Sequence, residues 1–352
     1  MTRMVGVGLI GAGSVTQAVH LPTLARLADQ FRIVSVMDVN AKLAATVAAR
    51  ASARSTTSVT ELLADPEVEV VAVCSPDRFH ADQIVAACEA GKAAVLAEKP
   101  LATSHEEVQR IAAAARRSGT HVLVGAMHTF DPGFRAAEEV VLPLVSEARH
   151  IRSVIWLPPN SRYEDRATQL QLPAPAPSAG HESPLEARRG AARGAVLGLA
   201  THCLPLVRTF LPHVDAFEHF RWFDPFGYVM TLRGGGRTAE LLAYCGSSWR
   251  HEWTFDVWGA DWRLSVDFPP SFVHAGSAVS LLSRPGGAQQ FGPYPGNGYQ
   301  AEWEELHSTV VIGAPPVHPI ETICEDIDYA LRLARWVDQE ITEPAAKERS
   351  WS

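Results

Sequence analysis

Lys99 has the residue type and position for proton transfer. It sits in Glu98-Lys99-Pro100, directly after the apolar run Ala93–Ala97. A lysine at the end of a buried strand loses hydration. This disfavours its ammonium form and moves its pKa toward the range where it can both give and take a proton. Pro100 fixes the turn that holds it. A second signal lies near the start of the chain, where Val5–Ile10 runs into Gly11-Ala12-Gly13-Ser14-Val15-Thr16. Gly11 permits a tight turn from strand to helix. Gly13 lets the backbone approach a pyrophosphate, whose charge the helix N-terminus stabilises. Ser14 and Val15 open that helix. Thr16 stands where a third glycine is usual, which predicts slightly looser packing of helix on strand.

Asp38 ends the next strand pattern, Arg32–Met37, near the spacing at which an acid accepts from adenosine ribose hydroxyls. A carboxylate there repels a 2′-phosphate, so NAD is expected in preference to NADP, with Lys42 softening the preference. Asp38 also fits a cap for the helix pattern that starts at Ala41. Ser75, Pro76 and His80 follow the strand pattern Glu69–Cys74, again at the edge where open α/β sheets bind ligands. The same stretch also reads as a capped helix start. With Glu98 and Lys99 these residues make up the candidate cofactor site. His202, in Gly198-Leu199-Ala200-Thr201-His202, reads either as a packed helical histidine or as a second proton handler.

Such residues need a frame, and the first 126 residues supply one. Strand patterns at Val5–Ile10, Arg32–Met37, Glu69–Cys74, Ala93–Ala97 and His121–Gly125 are short, apolar and rich in Val. Parallel strands buried on both faces have this character. Helical patterns at Thr16–Ala28, Ala41–Ala51, Arg78–Ala90 and Ser104–Arg117 alternate with them, and Ser104 with Glu107 makes a capping box. The alternation predicts a doubly wound parallel sheet. After Phe130 the pattern changes. Pro132–Ser146 reads as a linking helix and Arg149–Leu157 as a strand. Residues 158–190, with Pro173, Pro175 and Pro177, read as a long loop over the site. A helix is expected over Ala192–Phe210. Strand patterns follow at Ala216–Phe223, Tyr228–Leu232, Thr238–Tyr244, Trp253–Trp258 and Trp262–Asp267, implying a mostly antiparallel sheet. Closing helices are expected at Tyr299–Ile312 and Ile320–Ile341. The resulting division is residues 1–126 for dinucleotide binding, 127–343 for substrate binding and oligomerisation, and 344–352 as a tail.

The bulk composition narrows the choices. The 352 residues suffice for two domains, and 47% hydrophobic with 20% charged residues is an ordinary globular balance. A net charge of −8 argues against a general nucleic-acid binder. The short basic cluster Arg188, Arg189 and Arg193 reads as a solvated or substrate-facing segment. Cys74, Cys88, Cys203, Cys245 and Cys324 are widely spaced, with no CxxC pair. That fits a reduced cytoplasmic protein with no disulfide framework and no structural metal. The N-terminus leads almost directly into the first strand, leaving no room for a signal peptide, and no apolar run approaches the ~20 residues of a membrane helix.

Several stretches together resemble the Gfo/Idh/MocA oxidoreductases: Gly8 through Gly13, His20-Leu21-Pro22, Cys74-Ser75-Pro76 with His80, Ala97 through Leu101, and Gly125 through Phe134. The resemblance implies a Rossmann domain followed by an α/β domain with a large open, mostly antiparallel sheet that forms a homodimer or homotetramer. It implies hydride transfer between NAD or NADP and a hydroxyl or carbonyl carbon of a sugar, cyclitol or specialised metabolite. The lysine of the EKP element, here Lys99, would contact both substrate and cofactor. The family's Asp-x-x-x-His pair falls on Gly198 and His202, so the aspartate is missing. His128 or Tyr163 would then be candidates to substitute for it. The family also includes NAD-retaining lyases and glycosidases that work by transient oxidation, and non-catalytic dinucleotide-binding regulators. Those are the alternative readings.

Overall fold

The computed structural model describes residues 3–172, 183–224 and 226–341. Pro173, Pro175, Pro177 and the tail lie outside the described residues. The first sheet contains β1 (Val5–Ile10), β2 (Phe31–Met37), β3 (Arg54–Thr56), β4 (Val70–Val73), β5 (Ala94–Ala97) and β6 (His121–Val124), all parallel, in the order β3-β2-β1-β4-β5-β6. Helices α1 (Leu21–Arg26), α2 (Ala41–Arg50), α3 (Val59–Ala64), α4 (His80–Glu89) and α5 (His105–Ser118) connect these strands. The strand order reverses between β1 and β4, which opens a crevice over their carboxyl ends. β1, β4 and β5 are buried along their whole length, which explains their uninterrupted apolar character. Ser104 caps α5 by accepting from the Glu107 N–H, and Gly119 ends it at a φ of 73°.

Two features of this half depart from the sequence reading. β3 and α3 were not anticipated, because a short, largely exposed Arg-Ser-Thr edge strand carries no apolar period. The helix expected from Thr16 begins instead as a five-residue π turn, Thr16–His20. Thr16 is fully buried there, and its hydroxyl donates to the Gly11 carbonyl at 2.6 Å. The threonine thus ties the helix start to the glycine turn.

The second sheet has the order β14-β13-β12-β11-β7-β10-β9-β8. Its strands are β7 (His150–Leu157), β8 (Ala216–Phe223), β9 (Gly227–Gly234), β10 (Arg237–Cys245), β11 (Glu252–Trp258), β12 (Arg263–Asp267), β13 (Val279–Arg284) and β14 (Gly287–Phe291). β7 and β10 run parallel and every other neighbouring pair is antiparallel. Of the helices α6 (Pro132–Val141), α7 (Ser161–Ala167), α8 (Pro184–Leu199) and α9 (Leu204–Phe210), α6, α8 and α9 join one face of the sheet in a common core. Phe134, Val196, Leu206, Phe210, Trp253 and Phe255 pack together there. The opposite face carries Arg152, Glu240, Arg233, Arg263 and Leu281.

The single helix expected over Ala192–Phe210 is three elements. α8 starts earlier, at Pro184, with Ser183 as its cap. A 3₁₀ turn, Ala200–His202, separates it from α9. Pro205, in the first turn of α9, cannot continue a helix from the preceding turn. Finally, α10 (Gly298–Ile312) and α11 (Ile320–Glu340) return to the first sheet. Trp303 and Leu306 of α10 join the cluster of Leu9, Phe31 and Leu123. Ile323, Ile327 and Leu331 of α11 join Val95, Ile111 and Val124. Each such side chain contributes about 1.5–3 kcal/mol on full burial.

Candidate active site

A cleft of about 830 Å³, counting its opening to solvent, lies between the two sheets. The first half of the chain contributes Val15, Val19, Glu98, Lys99 and Gly125. The second contributes Leu157, Gly198, Leu199, His202, Phe226, Trp253, Phe272 and Tyr299. Val15 belongs to the glycine turn, so that turn, Lys99 and His202 share one space.

The turn has the geometry of a phosphate cradle. Gly11 has a φ of 96°, and a Cβ on it would lie 2.7 Å from the Cys74 carbonyl carbon and oxygen. Only glycine fits there. A Cβ on Gly13 would meet no atom of the described residues within 4 Å. The chain therefore leaves Gly13 bare toward open space, as a backbone-approaching ligand requires. The Asp38 carboxylate accepts from the Ala12 N–H through Oδ2 and from the Asn40 N–H through Oδ1, each at 2.9 Å. It thus braces the turn, while Asn40, not Asp38, caps α2. Gln17, fully buried, donates to the Ala12 carbonyl at 2.8 Å and exchanges hydrogen bonds with the Gln171 backbone. Arg50 reaches both Gln17 and Thr168. The segment after α7 is therefore docked on the first half of the chain beside the glycine turn. Ser75 donates to Gln83 at 2.6 Å and Pro76 is exposed.

His80 is buried, and its two ring nitrogens lie 2.8 and 2.7 Å from the carbonyl oxygens of Pro100 and Ser75. With both nitrogens engaged it clamps two strand-end turns together, which corrects its reading as a cofactor contact. Glu98 is held from behind. Its Oε1 lies 3.0 Å from His20 Nε2, and the Trp303 indole N–H donates to His20 Nδ1 at 3.2 Å. Burial opposes a charge on His20, but Cys74 and then the Glu98 carboxylate favour one and push its pKa well above normal. The indole donor decides for the neutral ring, because Nδ1 must keep its lone pair to accept. Burial works to raise the Glu98 pKa, but the His20 hydrogen bond and nearby positive charge outweigh it and hold the carboxyl below its usual range. Burial lowers the Lys99 pKa despite opposition from Glu98 and Asp77, and its Nζ donates to the Gly198 carbonyl at 2.9 Å. The ammonium thus bonds the backbone of the very residue that lacks a carboxylate.

His202 sits with its ring edge-on to Trp253, centroids 5.1 Å apart, and its buried Nδ1 has no hydrogen-bond partner among the described residues. Burial first, then Lys99 and His128, keep its pKa well below normal, so the ring is neutral. His128 does not line the cleft. It lies one layer behind, stacked on Phe268 at 3.9 Å and 6.0 Å from His202, with its pKa pushed down by burial to about 3. An imidazole so hard to protonate is a poor acid–base group, which corrects its candidacy. Tyr163 is in α7, not in a loop, and packs against Ala18, Val19 and Phe272 outside the cleft lining. The tyrosine that does line the cleft is Tyr299. No local pattern marked it, nor Trp253 or Trp303, and His20 stood out only within the stretch His20-Leu21-Pro22, with no role attached. Glu302 was also missed. It is fully buried beside this network without a hydrogen-bond partner among the described residues, and burial, then the charge of Glu98, raise its pKa well above normal.

The basic cluster does not face the cleft. Arg188 pairs with Asp224, Arg193 with Asp338, and Arg189 donates to the Ile341 carbonyl. These contacts fasten α8 to α11 and to the β8–β9 turn. Among the described residues, no group of three or more His, Cys, Asp or Glu side chains is placed to hold a metal ion, and no single helix is long and apolar enough to cross a membrane.

Residues 5–126 match the family model described as "Oxidoreductase family, NAD-binding Rossmann fold". The model is that of the Gfo/Idh/MocA oxidoreductases, and it covers about a third of the chain. Among curated relatives, inositol 2-dehydrogenase 3 of Saccharopolyspora erythraea is 40% identical over 138 residues, 39% of this chain and 40% of its own length. The 1,5-anhydro-D-fructose reductase of Ensifer adhaerens is 32% identical over 161 residues, 44% of this chain and 46% of its own length. The chain's match thus spans less than half the length of these Gfo/Idh/MocA relatives. Solved structures resemble the fold along nearly the whole chain. The UDP-N-acetylglucosamine 3-dehydrogenase GnnA from Acidithiobacillus ferrooxidans gives a TM-score of 0.73 at 19% identity, covering 97% of this chain and 100% of that one. KijD10, a 3-ketoreductase from Actinomadura kijaniata in complex with NADP and TDP-benzene, gives 0.69 at 21% identity, covering 93% and 96%.

Proposed function

We propose that this chain is a nicotinamide-dependent dehydrogenase or reductase acting on a hydroxyl or carbonyl carbon of a small molecule. The observation that carries the reading is the shared cleft: Lys99 and His202 line the same space as Val15 of the glycine turn. A bound dinucleotide supplies the hydride acceptor or donor. Gly11, Gly13, Ser14 and Val15 would hold its pyrophosphate, and Asp38 its adenosine ribose, with NAD preferred over NADP. The chain's own residues handle the proton. In the oxidation direction the unprotonated Lys99 amine takes the substrate hydroxyl proton, and burial shifts Lys99 toward that form. The neutral His202 ring orients the same hydroxyl, and Trp253 fixes the ring's plane.

The substrate-facing wall is apolar where the family aspartate would stand. The Phe226 ring lies 3.8 Å from the Cβ position of both Gly194 and Gly198. This favours a substrate that presents an apolar face to α8, such as a deoxygenated sugar or cyclic ketone, over a fully hydroxylated ring. The relatives named for inositol, anhydrofructose and nucleotide-linked sugar substrates define the range to test. The solvent-facing side of the second sheet, with Trp156, Val229 and Leu242 among its part-exposed residues, suits self-association into a homodimer or homotetramer, which sedimentation would measure. Five free cysteines suit a reducing compartment. The deciding experiment follows nicotinamide absorbance over a panel of sugars, cyclitols and cyclic ketones with NAD, NADP and their reduced forms. Turnover that Lys99→Met abolishes supports the proposal. Retained cofactor with product formed but no net change in absorbance would support the NAD-retaining alternative.

A further inference from the structure

Lys99 borders a second cavity, whose lining shares no other residue with that of the cleft. Counting its opening to solvent it encloses about 490 Å³, with room inside for only a water or two, and it is bounded by the end of β6, by Thr201 and Pro205 of the second half, and by α11. Its lining is mostly apolar, with Val124, Ile323 and Ile327 among the contacts. Three ionisable groups also reach it: Lys99, His318 and Asp326. Such a cavity against a proton-handling lysine needs an explanation that packing does not provide.

We propose that this cavity is the route by which Lys99 exchanges its proton with solvent, with Asp326 as the relay carboxylate. The inference rests on the reading of Lys99 given above. When dinucleotide and substrate fill the cleft, they cover Lys99 from that side. His202 offers no exit, because behind it stands His128, buried and packed between Phe268 and Trp253. The cavity leads the other way. The Asp326 side chain is 13% exposed and accepts from Arg208 Nε at 2.5 Å. His318 presents a buried Nε2 without a hydrogen-bond partner among the described residues, its ring edge-on to Phe130. These polar points give water a foothold in an otherwise apolar space.

The proton balance is simple. In oxidation the substrate O–H bond breaks as an N–H bond forms on the Lys99 amine, while the hydride leaves with its electron pair to the nicotinamide. The ammonium then passes one proton to cavity water, which passes it to the Asp326 carboxylate and on to bulk solvent. Reduction runs the same sequence backwards. Asp326 is suited to both directions. Burial raises its pKa and Arg208 restrains the rise, leaving it at about 6. The charged and titratable groups that face it are Arg208 of α9, Glu325 of α11, His318 before α11 and Lys99 at the end of β5. Burial and then Arg135 and Arg208 hold His318 down at about 4, so it offers a lone pair or a single N–H and does not compete for charge.

The test uses full-length protein with ¹⁵N-labelled lysine, the Lys99 signal being assigned by its loss in Lys99→Arg. NADH fills the cleft, and its binding is followed by quenching of protein fluorescence. Exchange of the Lys99 Nζ protons with water is then measured in wild type, Asp326→Asn and His318→Phe. Asp326→Asn should slow exchange about 10-fold or more, with NADH binding and melting temperature unchanged. His318→Phe keeps the ring contact with Phe130, blocks the cavity, and should slow exchange as well. Given any turning-over substrate, kcat of Asp326→Asn should fall with KM unchanged, and formate or imidazole should restore it. Unaltered exchange in both variants while NADH binds overturns the relay alone. Failure of NADH to bind overturns the site reading and the relay with it.

Discussion

Replacing either glycine of the phosphate turn by alanine should separate what holds the fold from what holds the cofactor. At Gly11 the backbone has a φ of 96°, and the new Cβ would lie 2.7 Å from the Cys74 carbonyl carbon and 2.8 Å from the Ser75 nitrogen. A non-glycine residue in that conformation costs about 1–2 kcal/mol. Overpacking against backbone that cannot retreat adds about 1–3 kcal/mol. Gly11→Ala should therefore lose about 2–5 kcal/mol and melt roughly 5–10 °C lower. At Gly13 the same methyl would meet no atom of the described residues within 4 Å. Gly13→Ala should hold its stability to within about 0.5 kcal/mol. Its methyl does, however, occupy the space through which a pyrophosphate approaches the turn. NADH affinity should fall at least ~10-fold, a loss of about 1.4 kcal/mol. Thermal unfolding and a fluorescence titration with NADH read the two effects separately. A Gly13→Ala protein that melts and binds NADH like wild type would show that the dinucleotide does not lie over this turn.

Lys99→Met should cut turnover by roughly 10²–10⁴-fold with NADH affinity retained, and near-normal turnover removes it from the mechanism. His202→Ala should damage turnover more than His128→Ala, since only His202 lines the cleft; the reverse order in steady-state kinetics would move the chemistry one layer back. Asp38→Ala should lower the NAD-to-NADP affinity ratio and also destabilise the protein by about 1–3 kcal/mol, because the Ala12 and Asn40 amides lose their acceptor; an unchanged ratio rejects its ribose role. Glu302 is held protonated in the folded protein and ionises near pH 4.3 when unfolded, so its contribution is fully present below that pH and is lost as pH rises toward its raised folded value. Glu302→Gln removes that titration, so chemical denaturation at pH 5 and pH 8 should show wild type losing stability relative to the variant; parallel curves would mean Glu302 is ionised.

The parallel strands of the first sheet were readable because burial on both faces leaves an unbroken apolar run in each. Strands β8 to β12 were readable because one face packs on helices and the pattern alternates. β14 escaped because Gly, Ala and Gln at a sheet edge carry little hydrophobic contrast, and β13 because its adjacent Leu281 and Leu282 break the apolar–polar alternation. The start of α8 was legible but overlooked: Ser183-Pro184-Leu185-Glu186 is a capping box with proline at the first helical position. In the site, Gly11, Gly13, Lys99 and His202 announced themselves through local spacing. His20, Trp303 and Tyr299 did not, because their role depends on helix α10 returning across the whole chain to Glu98. The errors on His128 and Tyr163 have one origin. Sequence placed each near the cleft, but only packing decides whether a ring faces an open space or fills the layer behind it.

The return of α10 and α11 to the first sheet also constrains how the molecule can be made. During synthesis the nucleotide-binding sheet emerges first, yet Phe31, Leu123, Val95 and Ile111 wait for apolar partners encoded some 200 residues later. Until Trp303 leaves the ribosome, His20 Nδ1 has no donor and Glu98 rests on an unanchored imidazole. The nascent half is thus a sheet with two bare flanks, and the lysine site is assembled only when the last helices close over it. A fragment ending near residue 126 should be sticky and slow to settle, whereas a permutant that starts at α10 and links α11 to β1 would present those partners from the outset.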